Sequence, residues 1–177
     1  SSLTELDVSN WDTSKVENMN AAFADCSSLP YLDVSDWNVS RLTDMYCMFK
    51  GCSSLPYLDV SDWDVSSVTD MYCMFKGCSS LTELDLSGWS LDSNTIATDM
   101  FYQCSNLERL VTGAGWMNRA GLPDSSKPNA HWREEGGTEN LVTTYADGRP
   151  HTYVLVIDVA PLPAVTNLAA APDISTG

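Results

Sequence analysis

Leu55-Pro56-Tyr57-Leu58-Asp59-Val60-Ser61-Asp62-Trp63, followed by Ser67-Val68-Thr69-Asp70-Met71-Tyr72-Cys73-Met74-Phe75-Lys76-Gly77, is one copy of a unit that recurs every 26 residues. Outward from it the same step carries Leu3, Leu29, Leu55, Leu81 and Leu107, and likewise Trp11, Trp37, Trp63 and Trp89. It also carries Phe23, Phe49, Phe75 and Phe101, and Cys26, Cys52, Cys78 and Cys104. Residues 27–52 and 53–78 differ only at Asn38/Asp64, Arg41/Ser67 and Leu42/Val68. Columns locked in phase mean a repeat. A unit this short cannot bury its apolar face without a neighbour stacked on it.

Within the unit, Leu58 and Val60 alternate with Tyr57, Asp59 and Ser61, the period of a short strand. Val68, Met71 and Phe75 then fall at i, i+3, i+7, one face of a helix. Ser14 with Glu17 fits a capping box, and Gly51 and Gly77 stand where a helix takes a left-handed stop. The expected architecture is an α/β repeat solenoid, leucine-rich-repeat-like. It has short parallel strands on one face, short helices or 3-10 turns on the other, and a C-terminal β-hairpin cap. Asn94 and Ala97 replace apolar residues in the fourth unit, so its helix is expected to be looser.

Three runs carry a family resemblance: L-D-V-S-x-W (Leu32 to Trp37, Leu58 to Trp63), V/L-T-D-M-x-x-M-F (Leu42 to Phe49, Val68 to Phe75) and G-C-S-S-L (Gly51 to Leu55, Gly77 to Leu81). Over residues 1–116 the chain resembles the BspA-like class of leucine-rich repeats, the bacterial surface protein 26-residue repeat. The resemblance implies a bacterial cell-surface or secreted, extracellular protein that acts in adhesion or host interaction.

Residues 1–116 are read as about four and a half repeats, 117–159 as a C-terminal β cap, and 160–177 as a Pro-rich linker entering a further β-sandwich domain. Leu141 to Tyr145 and Thr152 to Ile157 pattern as hairpin arms around a turn at Asp147-Gly148. Ser1-Ser2-Leu3 matches Ser27-Ser28-Leu29, so further repeats or a cap are expected upstream.

The charge balance is 24 Asp+Glu against 9 Lys+Arg, a net −15. It argues against nucleic acid, whose phosphates need clustered Lys and Arg, and against an anionic membrane surface. No apolar run is long enough to insert in a membrane. The two histidines, His131 and His151, leave little for imidazole catalysis, and no nucleophile elbow, zincin or P-loop pattern is present. Carboxylates repeated along a ladder share one environment, whereas hydrolysis needs a pair in distinct ones. No enzymatic activity is expected.

Cys26, Cys52, Cys78 and Cys104 read as a buried thiol ladder, with cysteine acting as a small hydrophobe. Trp11, Trp37, Trp63 and Trp89 read as a stacked structural ladder whose indole N–H groups find backbone carbonyls. On a helical wheel Cys47 and Cys73 lie opposite the apolar face and are expected to be exposed. They could form a disulfide if their Cα atoms lie within about 7 Å, although packed helices at about 8–10 Å work against it. No cofactor or metal is expected. Zinc lacks a C-x-x-C pair or a nearby histidine, and calcium needs more oxygen ligands in a loop than the Asp column supplies.

The remaining columns face outward. Asp33 and Asp59 with Ser35 and Ser61 form a row of acceptors, and Tyr31 and Tyr57 beside them form an aromatic patch. Tyrosine offers contact area and a hydroxyl at low entropic cost. The expected ligand site is therefore Tyr31, Tyr57, Asp33, Asp59, Ser35 and Ser61, taking a host or cell-surface protein or glycan. Two other readings remain: a structural spacer presenting another domain, and a site in the cap around Trp132 and Tyr153.

Overall fold

The computed structural model describes residues 2–116, 122, 130–135 and 149–157. No helix occurs among these residues, which overturns the α/β solenoid with helices or 3-10 turns on one face. The regular structure is a small mixed sheet of β1 (Glu83–Ser90), β2 (Arg109–Ala114), β3 (Ala130–Glu134) and β4 (His151–Ile157), in the order β1-β2-β4-β3. β1 and β2 are parallel, with Leu84 opposite Leu110. β4 runs antiparallel to both β2 and β3. The expected strand at Thr152 to Ile157 thus exists within β4, but its described partners are β2 and β3. The other hairpin arm, the Asp147-Gly148 turn and the linker of residues 160–177 lie outside the described residues.

The repeats are stacked turns. A helix would join each N–H to the carbonyl four residues back. Here Met48, Lys50 and Cys52 donate three residues back, to Met45, Cys47 and Phe49. The intervening donors of Met45, Cys47, Phe49 and Gly51 reach the carbonyls of Asp70, Tyr72, Met74 and Lys76 in the next unit, at 2.8, 2.9, 2.9 and 2.7 Å. Successive turns advance the chain in steps of two and three, so they bury the same i, i+3, i+7 residues as a helix would.

The turns need left-handed residues. Gly51 and Gly77 adopt φ 73° and 76°, and so, with values from 53° to 64°, do Ala21, Asp25, Cys47, Cys73, Asp99 and Gln103. Each non-glycine pays roughly 1–2 kcal/mol for this, and at Ala21, Asp25, Cys47 and Cys73 hydrogen bonds to the next unit hold it in place.

Among the described residues, regular strands begin only in the fourth unit. Glu108 N–H donates to the Thr82 carbonyl at 2.8 Å, at the entry of β2. Pro30 and Pro56 hold that column in the earlier units and have no N–H to give.

The core is built of ladders. Phe23, Phe49, Phe75 and Phe101 stack at 5.5, 5.8 and 6.1 Å between ring centroids. Trp37, Trp63, Trp89 and Trp116 stack at 6.4 Å at every step. Trp116 stands one residue late in its column, after an irregularity in the β1–β2 register between Leu86 and Ser90.

Candidate functional site

Tyr31 and Tyr57 are the most exposed large apolar side chains described, at 69% and 62%. Each stands beside an aspartate fixed by a local turn. Asp33 Oδ1 accepts from the Ser35 N–H at 3.2 Å and the Ser35 hydroxyl at 2.7 Å. Asp59 Oδ1 accepts from the same two groups of Ser61 at 3.2 and 2.8 Å. Asp7 and Asp85 accept the N–H of Ser9 and Ser87 at 3.0 and 2.9 Å. This is the Asx turn, in which a carboxylate caps the backbone two residues on.

The hydroxyl of Tyr31 donates to Asp33 Oδ2 at 3.3 Å. Hydrogen bonds from Ser35 and Ser9 hold Asp33 and Asp7 below the ordinary carboxylate range. The Asp33 and Asp59 charges push the Tyr31 and Tyr57 phenols up. At neutral pH Asp7 and Asp33 therefore stay ionised, and the Tyr31 and Tyr57 phenols stay protonated.

The six predicted residues fall into two local triads one repeat apart, Tyr31-Asp33-Ser35 and Tyr57-Asp59-Ser61. A groove of about 440 Å³ lies one step earlier in the chain, between the first and second units. Glu5, Leu6, Asp7, Pro30, Tyr31 and Asp33 are among its lining. Glu5 and Asp7 were not among the predicted site residues, although they hold the Tyr31 and Asp33 columns one unit earlier. At the other end of the Glu5 column, Glu83 is neutralised by Arg109 at 2.5 Å. A second aromatic surface was also missed: Tyr46 and Tyr72 stack at 5.5 Å, and Lys76 sits 4.7 Å over the Tyr102 ring.

The thiols of Cys52, Cys78 and Cys104 are buried and donate to the Phe23, Phe49 and Phe75 carbonyls at 3.1, 3.2 and 3.1 Å, while Cys26 is half-buried. Cys47 and Cys73 were expected on the surface, but they are 5% and 3% exposed, and all six cysteines are free. The helical wheel misplaced them because the segment is a chain of turns, and a left-handed residue points its side chain elsewhere. In the tryptophan column, Trp63 and Trp89 Nε1 donate to the Val34 and Val60 carbonyls at 3.0 and 2.8 Å, and Trp11 is half exposed. Among the described residues no group of three or more His, Cys, Asp or Glu is placed to hold a metal ion.

Burial pushes the Cys52 and Cys104 thiols up to about 12 and Cys78 well up. An unfolded thiol titrates near ~8.5. Above that pH the unfolded chain gives up protons that the folded chain keeps, so stability is full below it and falls as pH rises towards 12. The urea midpoint is therefore expected to be lower at pH 10 than at pH 8, and less so in Cys104→Ala. Equal midpoints at both pH values would count against the buried ladder.

Residues 1–114 match the model of a family described as Mycoplasma protein of unknown function, DUF285. The match covers more than half of the chain, and the chain belongs to that family. No curated protein and no solved structure matches it.

Proposed function

We propose that this chain is a non-enzymatic binding or adhesion module of a bacterial cell-surface or secreted protein, of the BspA-like kind. Its ligand is a host or cell-surface protein or glycan. The observation that carries this reading is the pairing of exposed Tyr31 and Tyr57 with carboxylates already held by their own serines. The aromatic faces and the outward carboxylate oxygens need no rearrangement before they meet a ligand, which lowers the ordering cost of binding. The buried Trp132 and Tyr153 do not offer a rival aromatic surface in the cap.

The test begins with an array of glycans and matrix proteins probed with the intact chain. Against a ligand so found, Tyr31→Ala with Tyr57→Ala is expected to weaken binding by about 1–3 kcal/mol, the range of an aromatic anchor. The melting temperature should not move, because neither ring is buried. Asp33→Asn with Asp59→Asn is expected to flatten the salt dependence if the partner is basic, since the acidic field is what salt screens. A neutral glycan would show no such change. Unchanged affinity in both double variants would leave the repeats as a spacer.

A further inference from the structure

Cys47 and Cys73 are buried, yet they stand apart from the hydrophobic cluster that takes in Met45, Met48, Met71, Met74 and the thiols of Cys52, Cys78 and Cys104. They hold one position in adjacent units. The parallel bridge between Asp44 and Asp70 sets the register, and three residues on the Cys47 N–H donates to the Tyr72 carbonyl at 2.9 Å. Both are left-handed, at φ 53° and 56°, so their Cα–Cβ bonds run side by side.

That placement suits one chemistry better than another. Backbones joined in this way lie about 4.8 Å apart, and parallel Cβ atoms keep that spacing. A disulfide draws its Cβ atoms to about 3.8 Å, so the two coils would have to close on each other. Two metal–thiolate bonds of about 2.3 Å in line span about 4.6 Å between sulfurs, close to the spacing that parallel side chains on adjoining backbones keep. Zinc closes its structural sites with four ligands, whereas thiolates also select soft copper(I).

We propose that Cys47 and Cys73 together bind one soft monovalent metal ion of the copper(I) class as a two-thiolate pair. Each S–H gives its proton to solvent as an S–metal bond forms, and no electron is transferred. The resulting unit carries one negative charge; burial pushes the free Cys47 thiol up, so the metal must displace its proton, and the Lys50 charge eases that only in part. Tyr46 and Tyr72, stacked at 5.5 Å, each place a hydroxyl within reach of the adjoining thiol. The proposal is independent of any ligand on the Tyr31 face.

The experiment titrates the 177-residue chain without oxygen. Copper(I) is supplied as its acetonitrile complex, against a colorimetric copper(I) chelator. One ion per chain is expected to be retained, with a thiolate-to-copper band in the ultraviolet. Cys47→Ala and Cys73→Ala should each weaken retention tenfold or more, and Cys26→Ala should not. Alanine is accommodated here, since Ala21 holds the same column at φ 54°. Serine at both positions gives a second pair of variants if alanine impairs folding, which circular dichroism would report. Retention by the double variant equal to that of the unsubstituted chain would overturn the proposal, as would a chain that retains no copper(I) at all.

Discussion

Cys52→Asp is expected to cost about 3–5 kcal/mol, the range for a buried charge left without a partner. Cys52 has no exposed surface, and its thiol donates to the Phe23 carbonyl at 3.1 Å. An ionised carboxylate has no proton to give that carbonyl and would set oxygen against oxygen. The site already resists negative charge, since burial holds the native thiol up to about 12. The aspartate must either ionise at that cost or stay protonated far above its usual range. A domain of this size has only about 5–15 kcal/mol in reserve, so a large share of the stability goes. Cys52→Ser keeps a donor of similar shape and is expected to cost about 1–2 kcal/mol, the ordinary range for a point substitution. Urea denaturation followed by tryptophan fluorescence separates the two. Equal losses would mean that shape rather than charge governs the position.

Most of the core was legible from the repeat alone, Cys47 and Cys73 excepted, and the backbone that carries it was not. Leu29, Phe49, Cys52 and Trp63 are buried as their columns require, because a residue kept at one phase in stacked units meets its own kind. Periodicity reports which side chains face inward but not which hydrogen bonds hold the chain. Val68, Met71 and Phe75 meet the spacing of a helix and of successive turns equally well. The turns were marked by residues that carry no propensity signal for them, such as Ala21, Cys47 and Asp99 at positive φ. The Tyr-Asp-Ser triads were legible because alternation places them outward. The groove was not, since a concavity depends on how the first unit curves against the second. Tyr46 and Tyr72 were hidden by the helical reading, although their spacing of one repeat was in view.

Trp63→Ala is expected to cost about 3–5 kcal/mol, as for other large aromatic deletions in cores. The ring is 1% exposed and lies between Trp37 and Trp89, each at 6.4 Å, with Phe49 tilted against it at 6.2 Å. Its Nε1 donates to the Val34 carbonyl at 3.0 Å. Removing it breaks the stack at its middle, opens a cavity and leaves a buried carbonyl without that donor. Trp63→Phe keeps most of the stacking and loses the donor, so the difference between the two variants isolates the ring contacts. Trp11 supplies the control within the same column. It is half exposed and touches one tryptophan, Trp37, at 5.8 Å. Trp11→Ala is expected to cost about 1 kcal/mol, in keeping with its exposed half. In a stack where each unit rests only on its neighbours, damage at the centre divides the array, whereas damage at the first unit frays one end. Hydrogen exchange distinguishes these outcomes. Trp63→Ala should speed exchange of the Met45, Cys47, Phe49 and Gly51 amides, which bond across to the third unit, and Trp11→Ala should leave them slow. Exchange speeded only at the first unit in both variants would show that the ladder does not couple its members.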